Sequence, residues 1–258
     1  MNRITQLFEQ KKNNVLNIYF TAGYPQLNDT TIILKALDES GADLVEIGMP
    51  YSDPVADGET IQHANQVALD NGMSVKLLFE QLADIRPAIK VPILLMGYIN
   101  PVLQFGIEEF CKKCQEVGVD GLILPDLPAD VYEEDYKAIF EKYGILNIFL
   151  ITPQTSESRI SHIDAISEGF IYMVSSASIT GAKSGISDEQ EAYFSRINAM
   201  NLKNPRLIGF GISDNATFTK ASSHAAGAII GSAFITVVTE AKDLSADISA
   251  FVKSVKGE

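Results

Sequence analysis

The strongest constraint on the fold of this chain is a repeat of pattern rather than of sequence. A short apolar, β-branched run is followed by a polar loop, an amphipathic segment, a glycine and then another apolar run. The runs are Val15–Thr21, Leu44–Gly48, Val91–Gly97, Gly121–Pro125, Leu146–Ile151, Phe170–Ser175, Arg206–Phe210 and Ala228–Gly231. They are apolar almost without interruption, as strands buried on both faces should be. The segments between them read as helices. Asp130 with Glu133, and Ser187 with Gln190, have the spacing of capping boxes, and Ser213 stands where an N-cap would. Gly41, Gly118, Gly144 and Gly169 fall where helix C-caps are expected.

Strands alternating with helices make a parallel sheet. About eight such units in one chain favour an α/β protein built as a closed (β/α)8 TIM barrel. An open parallel sheet is the alternative that the pattern leaves. No Pro/Gly/Ser-rich tract or charge block divides the chain, so residues 1–258 are expected to form one barrel domain. The segment Asn2–Lys11 precedes the first strand and is expected to be an extra helix covering one end. The interval from the second strand to the third is far longer than most others, with its extra residues directly after Gly48. Long loops after strands 2 and 6 belong on the C-terminal face, where barrel chemistry sits.

Charge narrows the function classes. The chain carries 20 Lys and Arg against 33 Asp and Glu, a net charge of −13. Nucleic-acid backbones and anionic membrane surfaces require clustered cations, so neither is an expected partner. A small phosphate ester is still accessible, because backbone N–H groups and helix N-termini bind it without net positive charge. The opening residues contain no signal-peptide run and no stretch reaches the ~20 apolar residues of a membrane span. The expected location is cytoplasmic.

The densest chemical signal is the run Glu46 to Gly58, EIGMPYSDPVADG. Side chains alternate along a strand, so Leu44, Glu46 and Gly48 share one face and Val45 and Ile47 the other. Val45 and Ile47 suit an outer face packed on helices, which turns Glu46 into the barrel near its mouth. A carboxyl there is costly to desolvate and has a raised pKa, suited to general acid–base work at neutral pH. The structural alternative is a Glu held by backbone donors or a salt bridge. Asp53 and Asp57 follow in the loop. Asp-Pro and Asp-Gly are ordinary turn chemistry, yet a long loop starting at an inward carboxylate favours a functional role for one of them.

A second signal is spread over the last three units. Thr180-Gly181 lies after the sixth strand, Gly209-Phe210-Gly211-Ile212-Ser213 after the seventh, and Gly231-Ser232 after the eighth, before the helical run Ala233–Glu240. Barrels often bind phosphate there, where glycine admits close backbone approach and a helix start offers oriented amides. Tyr172 lies in the sixth strand with Phe170 and Val174 on its face, where core packing and substrate contact are both open readings. His63, His162 and His224 lack metal-ligand spacing. Cys111 and Cys114 form one C-x-x-C inside a predicted helix, which argues against zinc, and a redox role is a weak alternative. The strand runs that would line the barrel contain no Lys, against a Schiff-base aldolase; Lys183 is in a loop.

The run Leu44–Gln62, E-I-G-x-P-x-S-D-P-x-A-D-G-x-x-I-Q from Glu46 onward, closely resembles the signature of tryptophan synthase alpha chains. The likeness continues through Phe20–Pro25 (FTAGYP), Met96–Pro101 (MGYINP), Leu124–Pro128 (LPDLP), Gly209–Ser213 (GFGIS) and Gly231–Ala233 (GSA). The resemblance implies retro-aldol cleavage of indole-3-glycerol phosphate to indole and glyceraldehyde 3-phosphate, in tryptophan biosynthesis. It implies Glu46 as the acid/base and Asp57 as the residue holding the indole N–H and stabilising positive charge on the protonated ring. Tyr172, Phe20, Ile61 and Thr180 are then substrate contacts. Gly181, Gly211, Gly231 and Ser232 match the phosphate cradle. No cofactor is implied in this chain; pyridoxal phosphate is expected only in a beta partner, with an alpha2-beta2 heterotetramer as the assembly.

The chain departs from the family pattern in places. The loop after the sixth strand commonly reads S-R-x-G-V-T-G, but here it is SSASITG from Ser175 to Gly181, and a usual Pro is Glu59. Closure of that loop and its coupling to the partner are therefore open. Three alternatives stand beside this reading: another phosphate-binding barrel enzyme, which would need a catalytic Lys or Cys at a strand end; a weakly active subunit that mainly activates its partner; and a stand-alone lyase.

Overall fold

The computed structural model describes residues 1–54, 57–175, 187–209 and 211–258. Its strands are β1 (Val15–Thr21), β2 (Leu44–Gly48), β3 (Ile93–Met96), β4 (Gly121–Ile123), β5 (Leu146–Ile148), β6 (Leu150–Ile151), β7 (Ile171–Val174), β8 (Arg206–Gly209) and β9 (Gly227–Ile230). They form one sheet in the order β5-β4-β3-β2-β1-β9-β8-β7-β6, with every pairing among the described residues parallel.

The two ends of that order belong to one expected strand. The run Leu146–Ile151 breaks at Phe149, so β5 pairs with β4 and β6 pairs with β7. The Phe149 carbonyl accepts the Tyr172 N–H at 3.0 Å. The chain thus closes the barrel by changing partners at a single residue. The open sheet is excluded, and the eight expected runs become nine strands.

Two apolar clusters follow from strand alternation. One fills the barrel, including Leu44, Leu94, Ile148, Tyr172, Leu207 and Ile229. The other lies between barrel and helices, including Leu16, Ile18, Phe20, Val45, Ile47 and Leu95. The N-terminal helix Arg3–Gln10 joins the interior cluster through Ile4 and Phe8. It is held at the base by Asp120, which accepts from Arg3 at 2.8 Å and from the Ile93 N–H at 2.9 Å. The Asn2 side chain caps the helix and also donates to the Asp120 carbonyl. The base of the barrel is thereby sealed, leaving the opposite mouth for ligand.

The long interval after β2 contains two helices, Glu59–Asp70 and Val75–Ile85. Gly41, Gly118 and Gly144 do cap helices in the left-handed conformation, and Ser187 with Gln190 forms the expected capping box.

Three expected caps are corrected. The helix Glu157–Ile166 ends on Ser167, and Gly169 takes its positive φ two residues later. Asp130 lies inside the short helix Ala129–Val131, which Pro128 precedes, and its carboxylate pairs with Arg159 at 2.6 Å. Asp214, not Ser213, caps the helix Asn215–Ser222, because its longer acceptor reaches the Thr217 N–H at 2.9 Å while Thr217 bonds back. No described helix is long and apolar enough to cross a membrane.

Candidate active site

Register sets which side chains meet inside the mouth. Tyr19 of β1 pairs with Glu46 of β2, and Thr21 pairs with Gly48. Glu46 itself pairs with Leu94 of β3. Glu46 therefore points inward, as alternation required, and is fully buried. Its Oε1 accepts from the Asn17 amide Nδ2 at 2.5 Å. Its Oε2 has no hydrogen-bond partner among the described residues. Burial pushes the Glu46 carboxyl up to about pH 8, and the Asn17 bond opposes part of that rise by favouring the ionised form.

Asp57 stands in the loop just before the helix Glu59–Asp70, and its carbonyl accepts from Gln62 at 2.7 Å. Its carboxyl accepts from Asn65 at 3.4 Å and from the Tyr98 hydroxyl. Partial burial raises its pKa, and these two donors counter that. Tyr19, Met49, Asp57, Asn65, Gly97 and Tyr98 share the lining of one small cleft. Asp53 is exposed and takes no place in it; its carboxylate accepts from Ser52.

Two tyrosines lie within the electrostatic reach of both carboxyls. Burial raises the Tyr19 and Tyr172 hydroxyl pKa values, and Asp57 and Glu46 raise both further. Each ring reaches its place because a neighbouring strand ends in glycine. A Cβ on Gly48 would stand 2.2 Å from the Tyr19 hydroxyl oxygen, and one on Gly209 would stand 2.3 Å from that of Tyr172. Tyr172 is thus brought beside the two carboxyls.

Phe20 is not. It pairs with Ile47 on the outer face and belongs to the cluster beneath the helices. The aromatic residue at the mouth is Tyr19, one position earlier. The sequence held the signal: the same alternation that turned Glu46 inward turns Tyr19 inward beside it. Ile61 lies near the same mouth, with its Cδ1 3.8 Å from the point where a Cβ on Gly231 would be, next to Tyr19.

The helix Ser232–Glu240 starts at Gly231 with no side-chain cap. Its first amides lack an internal acceptor, which suits an anion. The preceding helix differs: the Asp214 carboxylate already occupies its N-terminus. Gly211 has φ +76 and open space around its Cα. Thr180 and Gly181 lie outside the described residues, as does the rest of segment 176–186.

The histidines stay apart: His224 packs on Phe194, and His162 lies near Asp130 and Glu133. Cys111 and Cys114 are free and buried, with thiol pKa values raised by desolvation, which fits packing rather than redox reactivity. Among the described residues no group of three metal-ligating side chains occurs.

The barrel mouth gathers two carboxyls, two tyrosines and an uncapped helix start, an arrangement that suits proton transfer on a small anionic substrate. Residues 5–257 match the family model described as tryptophan synthase alpha chain, and the chain belongs to that family. A tryptophan synthase alpha chain from Flavobacterium johnsoniae is 58% identical over 256 residues, covering 99% of this chain and 100% of the relative. The solved alpha subunit from Legionella pneumophila superposes with a TM-score of 0.90 at 32% identity, over 100% of this chain and 98% of that one. A chain of the tryptophan synthase complex from Pyrococcus furiosus superposes with a TM-score of 0.87 at 31% identity, over 96% and 100%.

Proposed function

We propose that Glu46 and Asp57 are the residues with which this carbon–carbon lyase splits indole-3-glycerol phosphate. The observation that carries the assignment is the buried Glu46 carboxyl, held at one oxygen and without a partner among the described residues at the other. With its pKa raised to about 8, Glu46 holds a proton at neutral pH and is ready to act first as an acid. It protonates the indole ring carbon that carries the side chain, leaving positive charge on the ring. The resulting carboxylate takes the proton of the adjacent side-chain hydroxyl. The carbon–carbon bond then breaks, its electron pair returns to the ring, and indole and glyceraldehyde 3-phosphate separate. The net proton movement is from hydroxyl to ring carbon, and Glu46 ends protonated as it began.

Asp57 accepts the indole N–H and stabilises the cationic ring. Tyr19, Tyr172 and Ile61 flank the substrate, and the amides after Gly231, with Ser232 and Gly211, receive the phosphate. Thr180 and Gly181 are proposed to complete the cradle from the loop after β7. The cleavage is driven by proton transfers to and from Glu46 and calls for no cofactor in this chain. A beta subunit is the proposed partner, in an alpha2-beta2 assembly that carries pyridoxal phosphate on the beta side; the Pyrococcus furiosus relative, solved as a tryptophan synthase complex, supports a partner of that kind.

Two outcomes test this. Asp57→Asn keeps shape but loses charge, and kcat/KM for glyceraldehyde 3-phosphate release is expected to fall about 10²- to 10³-fold. The kcat/KM–pH profile of the native chain is expected to show an inflection near pH 8 from Glu46. An Asp57→Asn variant as fast as the native protein removes Asp57 from the mechanism.

A further inference from the structure

We infer that Asn17 is a positioning residue that keeps hold of Glu46 in both of its protonation states, fixing Oε1 and leaving Oε2 for the substrate. The inference deepens the assignment of Glu46 as acid and base and rests on it. Asn17 is on β1, fully buried, with the apolar residues Leu44 and Ile229 as its register partners on either side. A primary amide in such surroundings is costly unless bonded. Its described bond is the one to Glu46 Oε1, at 2.5 Å. Asn17 Oδ1 and Glu46 Oε2 are both buried without a hydrogen-bond partner among the described residues.

The residue type matters. Lys or Arg at this position would hold the carboxyl ionised and would oppose its service as an acid. An apolar residue would leave the carboxyl without a fixed orientation. A primary amide has two donors and a carbonyl acceptor on one planar group. It donates N–H to Oε1 of the carboxylate, and Oε1 remains an acceptor when the acid carries its proton on Oε2 facing the substrate. The contact therefore survives each time the proton leaves Glu46 and returns.

The other ionisable groups around Glu46 come from separate elements: Tyr19 from β1, Asp57 from the loop after β2, and Tyr172 from β7. A substitution at Asn17 leaves all three in place. Both forms of Glu46 lose a bond, but the ionised form loses the stronger, charge-assisted one, so its titration moves to higher pH.

The test uses the full chain with saturating beta subunit, comparing native, Asn17→Leu, the isosteric Asn17→Asp and Glu46→Gln. For Asn17→Leu, kcat is expected to fall about tenfold or more with KM little changed. The kcat–pH limb governed by Glu46 should move up by about one pH unit or more. Asn17→Asp should move it in the same direction, because a second carboxyl also disfavours the ionised form. A carbon NMR titration of the Glu46 carboxyl reads the same shift without turnover, and serves if either variant is too slow to assay. An unmoved limb and an unmoved carboxyl titration in both variants overturn the role of Asn17 while leaving Glu46 in place. Near-native turnover in Glu46→Gln overturns the assignment of Glu46 itself.

Discussion

Glu46→Gln is expected to abolish cleavage of indole-3-glycerol phosphate, with a loss on the order of 10⁴-fold in kcat, while the fold becomes more stable. The rate loss follows from the double use of one carboxyl. Gln has nearly the shape of Glu and accepts the Asn17 hydrogen bond, but it can neither give the ring carbon a proton nor take one from the hydroxyl. The stability gain follows from burial. In the folded protein Glu46 keeps its proton to about pH 8, against an ordinary value of 4.5. Between those values the folded state binds more protons than the unfolded chain, so stability falls as pH rises. Below 4.5 both states are protonated and nothing is lost; above about 8 the loss is complete. Gln has no proton to lose. Its Tm advantage over the native chain should therefore be small at pH 4.5, grow to about pH 8 and level off. Turnover assays joined to thermal melts across pH check both halves. A Gln variant that melts lower at pH 8 than the native chain would count against the buried, desolvated carboxyl.

Gly227→Ala is expected to damage the barrel itself. Gly227 opens β9 and pairs with both Val15 of β1 and Leu207 of β8. A Cβ there would stand 2.0 Å from the Val15 carbonyl oxygen and 2.6 Å from its nitrogen. These are backbone atoms in a parallel ladder and have no rotamer with which to retreat. The seam between β1 and β9 would have to open, unpairing hydrogen bonds in the middle of the sheet. The expected cost is about 4 kcal/mol or more, in the range of severe core substitutions. For a domain of this size that lowers Tm by about 10 °C or more, with loss of soluble yield. Gly144→Ala is the control. Gly144 has φ +69 but nothing within 4 Å, so only the left-handed backbone opposes the methyl, at about 1–2 kcal/mol. Equal melting of the two variants would show that the seam tolerates a side chain.

Asp57→Asn, by comparison, acts through the lost charge and one lost acceptor oxygen, with the backbone untouched. Its carboxyl is held by Asn65 and Tyr98, and the amide keeps one acceptor oxygen where the carboxylate has two.

Much of this was legible in the chain because burial writes itself into periodicity. The strands were found as apolar runs, and Glu46 was turned inward by its neighbours Val45 and Ile47, which had to face helices. The same rule applied to β1 turns Tyr19 inward and Phe20 outward. Motif likeness pointed to Phe20, and the register corrected it by one residue. Asp214 displaced Ser213 as a cap for a local reason, the reciprocal bonding with Thr217, which no single-residue preference reveals.

Other features had no local signal. The break at Phe149 exists because the ring must close, and closure is a condition on all strands together. The Asn17–Glu46 bond depends on the register between β1 and β2, in which residues 29 apart meet. Nothing in the run Val15–Thr21 marks Asn17 as different from any other polar residue. The demand at Gly227 is likewise invisible without the backbone of Val15 beside it. Sequence by itself determined the alternating strands and helices, the inward carboxyl and the family, since each is carried by spacing along one segment. Tertiary structure decided which tyrosine enters the mouth, what grips the acid and where no side chain fits, because those depend on distances between strands that periodicity does not encode.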